Sequence, residues 1–413
     1  VDCYPIEEDV PVFGDVYWGY GQRNLRAAHQ IRRRPGEYAL WCSNYSCGPD
    51  SFNLHFFAYT MEGKPFAIIE TDGHSGDAGT KTRVEAFLHC VREDLVAERV
   101  TVARELDQVT ADRTDLAGLM KTKRRVLIPR MGPGAEALAA CLRGLEVPAE
   151  ALPLPDRETL RIGRRYTSGK ECVPMCITLG SLLQRVQAEP DPDLDFAFFM
   201  PTGCGPCRFG AYNVLHRIVL DRVGLSERVT MWSPVDADYF GAVPPGFAAL
   251  AMAGFVATDL LLEGLYDARP VEVERGAAKE IHDRFMRELL DDLETATRGD
   301  LSATQAVTQV VGGQLYGVRE LLRRAAEAYA AIRTEAQPPS VLVVGETYVR
   351  CDPFANGFVI DALEERGVRA RFAPFNEWIE YCDWVSYERR REGLDPGTRN
   401  PLAMRITSFV QNT

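Results

Sequence analysis

Six cysteines of this chain lie in short segments rich in glycine, proline and polar residues, spaced as in metal or redox sites. Between Tyr166 and Gly210 there are two pairs, Cys172 with Cys176 (C-x3-C) and Cys204 with Cys207 (C-x2-C). Thiols at such spacings are metal ligands or redox partners. Cys47 stands in the turn Ser43-Asn-Tyr-Ser-Cys47-Gly-Pro-Asp-Ser51, and Cys351 in the segment Glu346-Thr-Tyr-Val-Arg-Cys351-Asp-Pro-Phe354. Thiolates are soft ligands suited to iron-sulfur clusters and to zinc. An iron-sulfur site is the working expectation. Zinc competes with it, although zinc sites usually come as compact C-x2-C pairs. A thioredoxin-like dithiol at Cys204-Gly-Pro-Cys207 is the other competitor, and it leaves Cys47, Cys172 and Cys351 without a role. Lys170 and Arg208 adjoin these thiols. They either stabilise an anionic substrate group or a reduced cluster, or pair with nearby carboxylates.

The elements that must position these residues alternate between strands and helices. A helix over Tyr17 to Arg33 precedes a strand Tyr38–Cys42, which runs into the Cys47 turn; a helix over Phe52 to Met61 and a strand Pro65–Thr71 follow. Arg125–Pro129, the continuously apolar Asp195–Met200, Val229–Ser233, Ser340–Gly345 and Ala370–Ala373 read as further strands. Between them come helices over 134–144, Tyr212–Val223 and Asn356–Arg366. Each of the six cysteines is then expected in a loop at the mouth of an α/β layer, where open parallel sheets keep their sites.

The pattern predicts the α/β class, with two or more flavodoxin-like, doubly wound parallel-sheet lobes and a helical insertion. The expected divisions are an α/β lobe over 1–115, a second lobe with the central cysteines over 116–245, a helical segment over 246–336, and an α/β piece over 337–413 that completes a lobe. Residues 93–120 read as the connection between lobes.

Composition narrows the function classes. The 413 residues are 46% hydrophobic and 26% charged, as in folded globular chains of two or three domains. A formal net charge of −12 argues against a nucleic-acid partner, since phosphate binding rests on Lys and Arg. Arg32-Arg33-Arg34 reads as a solvated helix end. Phe247 to Leu262, interrupted by Asp259, falls short of the ~20 apolar residues of a membrane span and reads as a buried helix. No secretory signal pattern is recognised, and the expectation is a cytoplasmic protein without a membrane partner. The start at Val1 without an initiator Met suggests a processed chain or a piece of a longer one. Eleven cysteines, an odd and unevenly spread set, fit ligands plus bystanders better than a disulfide framework. Cys90 and Cys141 read as bystanders on helical patterns.

Other motifs are weaker. Asp72, His74 and Asp77 read as a Gly-rich turn before a helix over Thr80 to Arg92 sooner than as a metal site. Gly132-Pro-Gly134-Ala-Glu-Ala137 is formally a dinucleotide fingerprint, with Glu150 or Asp156 as the ribose acid, but Pro133 favours a plain helix start. Gly163 to Glu171 resembles a phosphate loop with one residue too many and with Glu171 in the magnesium-ligand position.

Several long motifs occur together and in order: Tyr17-Trp-Gly-Tyr-Gly-Gln22, Cys47-Gly-Pro-Asp-Ser-Phe52, Glu70-Thr-Asp-Gly-His-Ser75 with Thr82-Arg-Val-Glu-Ala-Phe87, Thr167-Ser-Gly-Lys-Glu-Cys172, Gly205-Pro-Cys-Arg-Phe-Gly210 and Gly345-Glu-Thr-Tyr-Val-Arg350. With them the chain resembles, over nearly its whole length, the 2-hydroxyacyl-CoA dehydratase superfamily. The resemblance is to the dehydratase-like C-terminal part of the large acyl-CoA dehydratase activase proteins. It implies flavodoxin-like lobes around a [4Fe-4S] or related cluster, with electrons from an ATP-hydrolysing activase module of the actin-like ATPase fold. It implies Cys47, Cys172 and Cys207 as ligands, leaving one iron open to water or a substrate oxygen. Cys176, Cys204 and Cys351 depart from the family pattern. As additional ligands they would suit a larger double-cubane cluster and a reductase of small molecules. The actin-like ATPase motifs are not found in this chain, so ATP would act through a partner or a missing domain. The function so implied is reductive or radical chemistry, for instance dehydration of a 2-hydroxyacyl-CoA. The alternative is a non-catalytic electron-transfer or zinc-holding subunit, and a homo- or hetero-oligomer is compatible with either.

Overall fold

The computed structural model describes residues 4–71, 76–97, 105–111, 113–203, 205–234 and 243–377, together with 381, 384, 385, 388 and 391. Helices and parallel strands alternate along it, which places the chain in the α/β class. It divides into two compact units that do not follow chain order. The first comprises Val1–Thr114, Ile162–Leu179 and Met200–Asp236; the second comprises Asp115–Arg161, Gly180–Phe199 and Ala237–Thr413. The segments 162–179 and 200–236, which chain order alone groups with 116–245, belong with the first 114 residues.

In the first unit the helix Gly19–Arg33 buries Leu25 and residues 27–30 and stops where Arg34 precedes Pro35, a residue pair that disfavours further helix. Strand Ala39–Ser43 pairs in parallel with Phe66–Glu70, from Ala39 opposite Phe66 to Ser43 opposite Glu70. Its side chains alternate: Ala39, Trp41 and Ser43 are buried, Leu40 and Cys42 exposed. The helix between these strands, Asp50–Thr60, is buried on nearly every side. Its Phe52 stacks on Tyr212 of the helix Tyr212–Arg222, with ring centroids 5.6 Å apart and planes 10° off parallel. The short strand Arg113–Thr114 pairs with Val229–Trp232. It falls within 93–120, read as a charged helical connection, which also holds the helix Leu106–Ala111 and most of Leu116–Thr122.

In the second unit Arg125–Ile128 lies between Phe196–Phe199 and Ala149–Ala151, all parallel. Residues 126–128 and Phe196–Phe199 are apolar without alternation, as strands covered on both faces are, whereas Ala149–Ala151 carries Glu150. The helices Gly134–Gly144, Pro245–Ala268 and Ala277–Thr297 pack together in this unit. A side chain at Gly134 would put its Cβ 2.3 Å from the Phe255 ring, so this glycine of the nominal dinucleotide fingerprint serves helix packing, while Gly132 supplies a left-handed turn. The two acids considered for a ribose are engaged: Glu150 pairs with Arg185, and Asp156 caps the Thr159 N–H.

The stretch Pro245–Val271 is long and apolar enough to cross a membrane, beyond what the shorter run Phe247–Leu262 suggests, and 67% of its apolar stretch is buried inside the protein. Asp259 within it is 2% exposed and accepts the Asn376 N–H. A second parallel pair, Ser340–Val343 with Arg369–Phe372, completes the described part of this unit. Two local expectations change here. The segment after Ser340–Val343 holds a short helix, Thr347–Cys351, because the Glu346 carboxylate caps the Val349 N–H. The next helix is only Val359–Glu364, because Gly357 and Phe358 turn left-handed before it.

Candidate metal centre

Three loops of the first unit carry Cys47, Cys172 and Cys207, and each is fixed by its own short-range bonds. The Cys47 turn places Tyr45, Ser46 and Gly48 in the left-handed region. Such backbone in non-glycine residues costs energy and persists only where neighbours over-determine it. Here Ser46 N–H donates to Ser43 Oγ, Ser46 Oγ donates to the Glu70 carboxylate at 2.6 Å, and Ser51 Oγ donates to the Gly48 carbonyl. The Cys47 side chain is left exposed on this braced turn.

Cys172 immediately precedes the helix Val173–Gln187, and its carbonyl accepts the Met175 and Cys176 N–H groups. Glu171 organises the loop before it. Its carboxylate accepts the N–H groups of Ser168 and Gly169, both at 2.9 Å, and of Lys170 at 3.1 Å, as well as the Ser168 hydroxyl; it also contacts His55 Nε2. Successive N–H groups converging on one anion form a nest of the kind that holds phosphate in other proteins. The phosphate-loop resemblance of 163–171 therefore has a physical basis, with the loop's own carboxylate in the anion position. Burial alone would push the Glu171 carboxyl up, but His55 and the backbone donors more than reverse this and hold it at about 2. The loop is also positioned by a close helix approach, since a Cβ on Gly163 would lie 1.8 Å from the Cys176 carbonyl oxygen.

Cys207 directly precedes the 3-10 turn Arg208–Ala211, and nearby Thr202 Oγ1 donates to the Gly210 carbonyl at 2.7 Å and the Pro206 carbonyl accepts the Trp18 Nε1–H at 3.3 Å. Its thiol is exposed. The next residue, Arg208, ties all three loops together. Its Nη1 donates to Ser51 Oγ at 2.8 Å, beside the Cys47 turn, and to the Lys170 carbonyl at 3.2 Å, two residues before Cys172. Lys170 in turn sets its ammonium over the Tyr45 ring, 5.4 Å from the centroid. Among the described residues neither Arg208 nor Lys170 pairs with a carboxylate. The two cations are thus held by a hydroxyl, a carbonyl and a ring, none of which neutralises them.

The remaining candidates are placed differently. Cys176 is buried, with Sγ 3.6 Å from Thr167 Oγ1, and burial pushes its thiol up. Cys351 belongs to the second unit, in the apolar cluster with Ile360, Ala370 and Phe372, and burial pushes its thiol up to about 12. Thiolate is the ligating form, so both environments oppose ligation. Cys141 is likewise buried and raised to about 12, in keeping with a bystander role. Cys90 is exposed on a helix. Cys204, Asp72 and His74 lie outside the described residues, and Asp77 sits in the first turn of the exposed helix Asp77–Ala97.

The ligand atoms of Cys47, Cys172 and Cys207 do not form a set within 4.8 Å of one another. One tetrahedral zinc ion, ~2.3 Å from each sulfur, would bring its thiolates to ~3.8 Å of each other. Sequence reading assigns no role to Trp18, Ser51 and His55, which hold the loops in register. Trp18 and Ser51 lie within the motifs, and His55 just after one.

No protein-family model matches the chain, and neither the curated proteins nor the solved structures contain a match.

Proposed function

We propose that Cys47, Cys172 and Cys207 hold a [4Fe-4S] cluster with one iron left open, and that the chain is a cytoplasmic reductive or dehydratase-type enzyme acting on an acyl-CoA. Electrons would come from a separate ATP-hydrolysing activase of the actin-like fold, and the units would be flavodoxin-like lobes. The observation that carries this reading is Arg208, which joins the loops of the three accessible thiols in one unit. The buried settings of Cys176 and Cys351 favour three thiolates over a six-thiolate double-cubane arrangement. When bound, the cluster would supply one-electron chemistry at its open iron.

This chain's own residues do the rest. Arg208 and Lys170 place two un-neutralised cations at the loop cluster, where an acyl carbonyl or carboxylate would be oriented and its developing negative charge stabilised. The Glu171 nest holds the backbone of residues 168–170 just before Cys172, which keeps the Lys170 cation in place beside the thiol's loop.

The test is anaerobic iron and sulfide quantitation on the intact chain and its variants. About four irons per chain are expected, lost in Cys47→Ser, Cys172→Ser or Cys207→Ser and kept in Cys141→Ser. Full iron in all three variants overturns the ligand assignment, and stoichiometric zinc without sulfide overturns the cluster. A change in the electron-paramagnetic-resonance signal on adding an acyl-CoA supports the enzyme reading. Indifference to every acyl-CoA tried leaves an electron-transfer subunit.

A further inference from the structure

A second group of ligand-type side chains lies in the first unit, formed by residues more than 70 positions apart. His29 is on the helix Gly19–Arg33; Glu105 and Asp107 are at and just inside the start of the helix Leu106–Ala111. One ligand atom from each lies within 4.8 Å of the others. His29 is only 1% exposed, yet its Nε2 has no hydrogen-bond partner and faces Glu105 Oε2 at 4.0 Å. Asp107 Oδ1 is also buried without a partner. A buried imidazole nitrogen and a buried carboxylate oxygen left unsatisfied are costly, so such atoms call for an explanation.

The geometry points to a binding site for one first-row divalent transition-metal ion, ligated by His29 Nε2, Glu105 and Asp107, that is separate from the thiol loops. At ~2.0–2.2 Å from each ligand atom, a tetrahedral ion would bring neighbouring ligands to ~3.4 Å of one another. The 4.0 Å His29–Glu105 gap therefore needs to close by only about 0.6 Å.

The surroundings match what such ligands need. Arg33 grips the Glu105 carboxylate with Nε and Nη2, orienting it as outer hydrogen bonds orient ligating carboxylates. The Phe13 ring meets the His29 ring edge-on, 6.1 Å between centroids, and fixes its plane. Arg32 as well as Arg33 acts electrostatically on His29 and Glu105, so the two carboxylates face two guanidiniums, and a dication would be held by its ligand bonds. Because an imidazole joins the carboxylates, manganese, iron or zinc suits the set better than magnesium or calcium. The carboxylate side is partly open to solvent, which provides an entry path.

Manganese is the probe of choice, because thiolates compete poorly for it. The intact chain, stripped with a chelator, is titrated with Mn2+ while the signal of the free ion is followed by electron paramagnetic resonance. One Mn2+ bound per chain is expected, expelled by equimolar Zn2+ and unaffected by excess Mg2+. Asp107→Asn and Glu105→Gln should each weaken binding at least tenfold with unchanged circular dichroism, as should His29→Gln if it folds, whereas Cys47→Ser should leave it intact. No Mn2+ binding at millimolar metal, or equal affinity in the folded Asp107→Asn and Glu105→Gln variants, overturns the site. A loss confined to Cys47→Ser would assign the bound metal to the thiol loops and overturn it equally.

Discussion

Replacing Glu171 by Gln removes one charge and keeps the side chain's shape, which isolates what the nest holds. The side chain is fully buried, and its carboxyl sits at about 2 against a usual 4.5. That depression of roughly 2.5 units corresponds to about 3 kcal/mol of preference for the ionised form in the folded chain. A neutral amide forgoes that preference and turns its NH2 toward backbone donors that need an acceptor. Glu171→Gln should therefore destabilise the protein by about 3 kcal/mol at pH 7. Because the folded carboxyl is lowered, the wild-type advantage is fully present above pH ~4.5. It shrinks as pH falls toward ~2, where both forms of the residue are neutral. Denaturant melts of both proteins, followed by circular dichroism from pH 7 down to 3, measure this directly. A variant within about 0.5 kcal/mol of wild type at pH 7, or a difference that stays constant on acidification, would refute the account of the loop.

Asp259 should behave in the opposite sense. Burial raises its carboxyl to about 7, so the wild type loses stability as pH climbs from ~4 to ~7, and Asp259→Asn should gain up to about 4 kcal/mol on it over that range in pH-dependent melts. Gly163→Ala should cost on the order of 1–3 kcal/mol by forcing the helix at Gly163 off the Cys176 backbone, and reconstituted iron should fall with it; an unchanged melting midpoint would contradict the close approach. Arg208→Ala should lower cluster retention without abolishing it, measured as a faster rate of iron loss to a chelator, because it unties the three loops but removes no ligand. Equal loss rates would show that the loops hold their places unaided.

Much of the local structure is legible in the sequence because it is set locally. Gly-Pro-Asp after Cys47 and Pro174 just inside the helix after Cys172 mark the end of a loop and the start of a helix, and the apolar run 196–199 marks a covered strand. The Cys351 environment is less legible. Its segment carries the same turn residues, but Glu346 caps a helix there and the thiol turns into an apolar cluster. Spacing does not record which side of a loop faces inward. Glu171 is misjudged for a related reason. Its residue type disqualifies a magnesium site, whereas its reach back to three N–H groups is visible only in three dimensions. The His29 group offers no sequence signal, since its members are joined only by the packing of two distant helices.

The first unit is assembled from three stretches of chain separated by parts of the second. Cys207 follows Cys47 by 160 residues, so during synthesis at about 5–20 residues per second the first thiol waits roughly 10–30 seconds for the last. The left-handed Cys47 turn and its serine braces form early, but the Arg208 clamp closes only after residue 208 has emerged. A cofactor seated on all three loops must therefore be delivered late, to a nearly finished chain. During that interval the exposed Cys47 thiol is open to oxidation before its partners have been made.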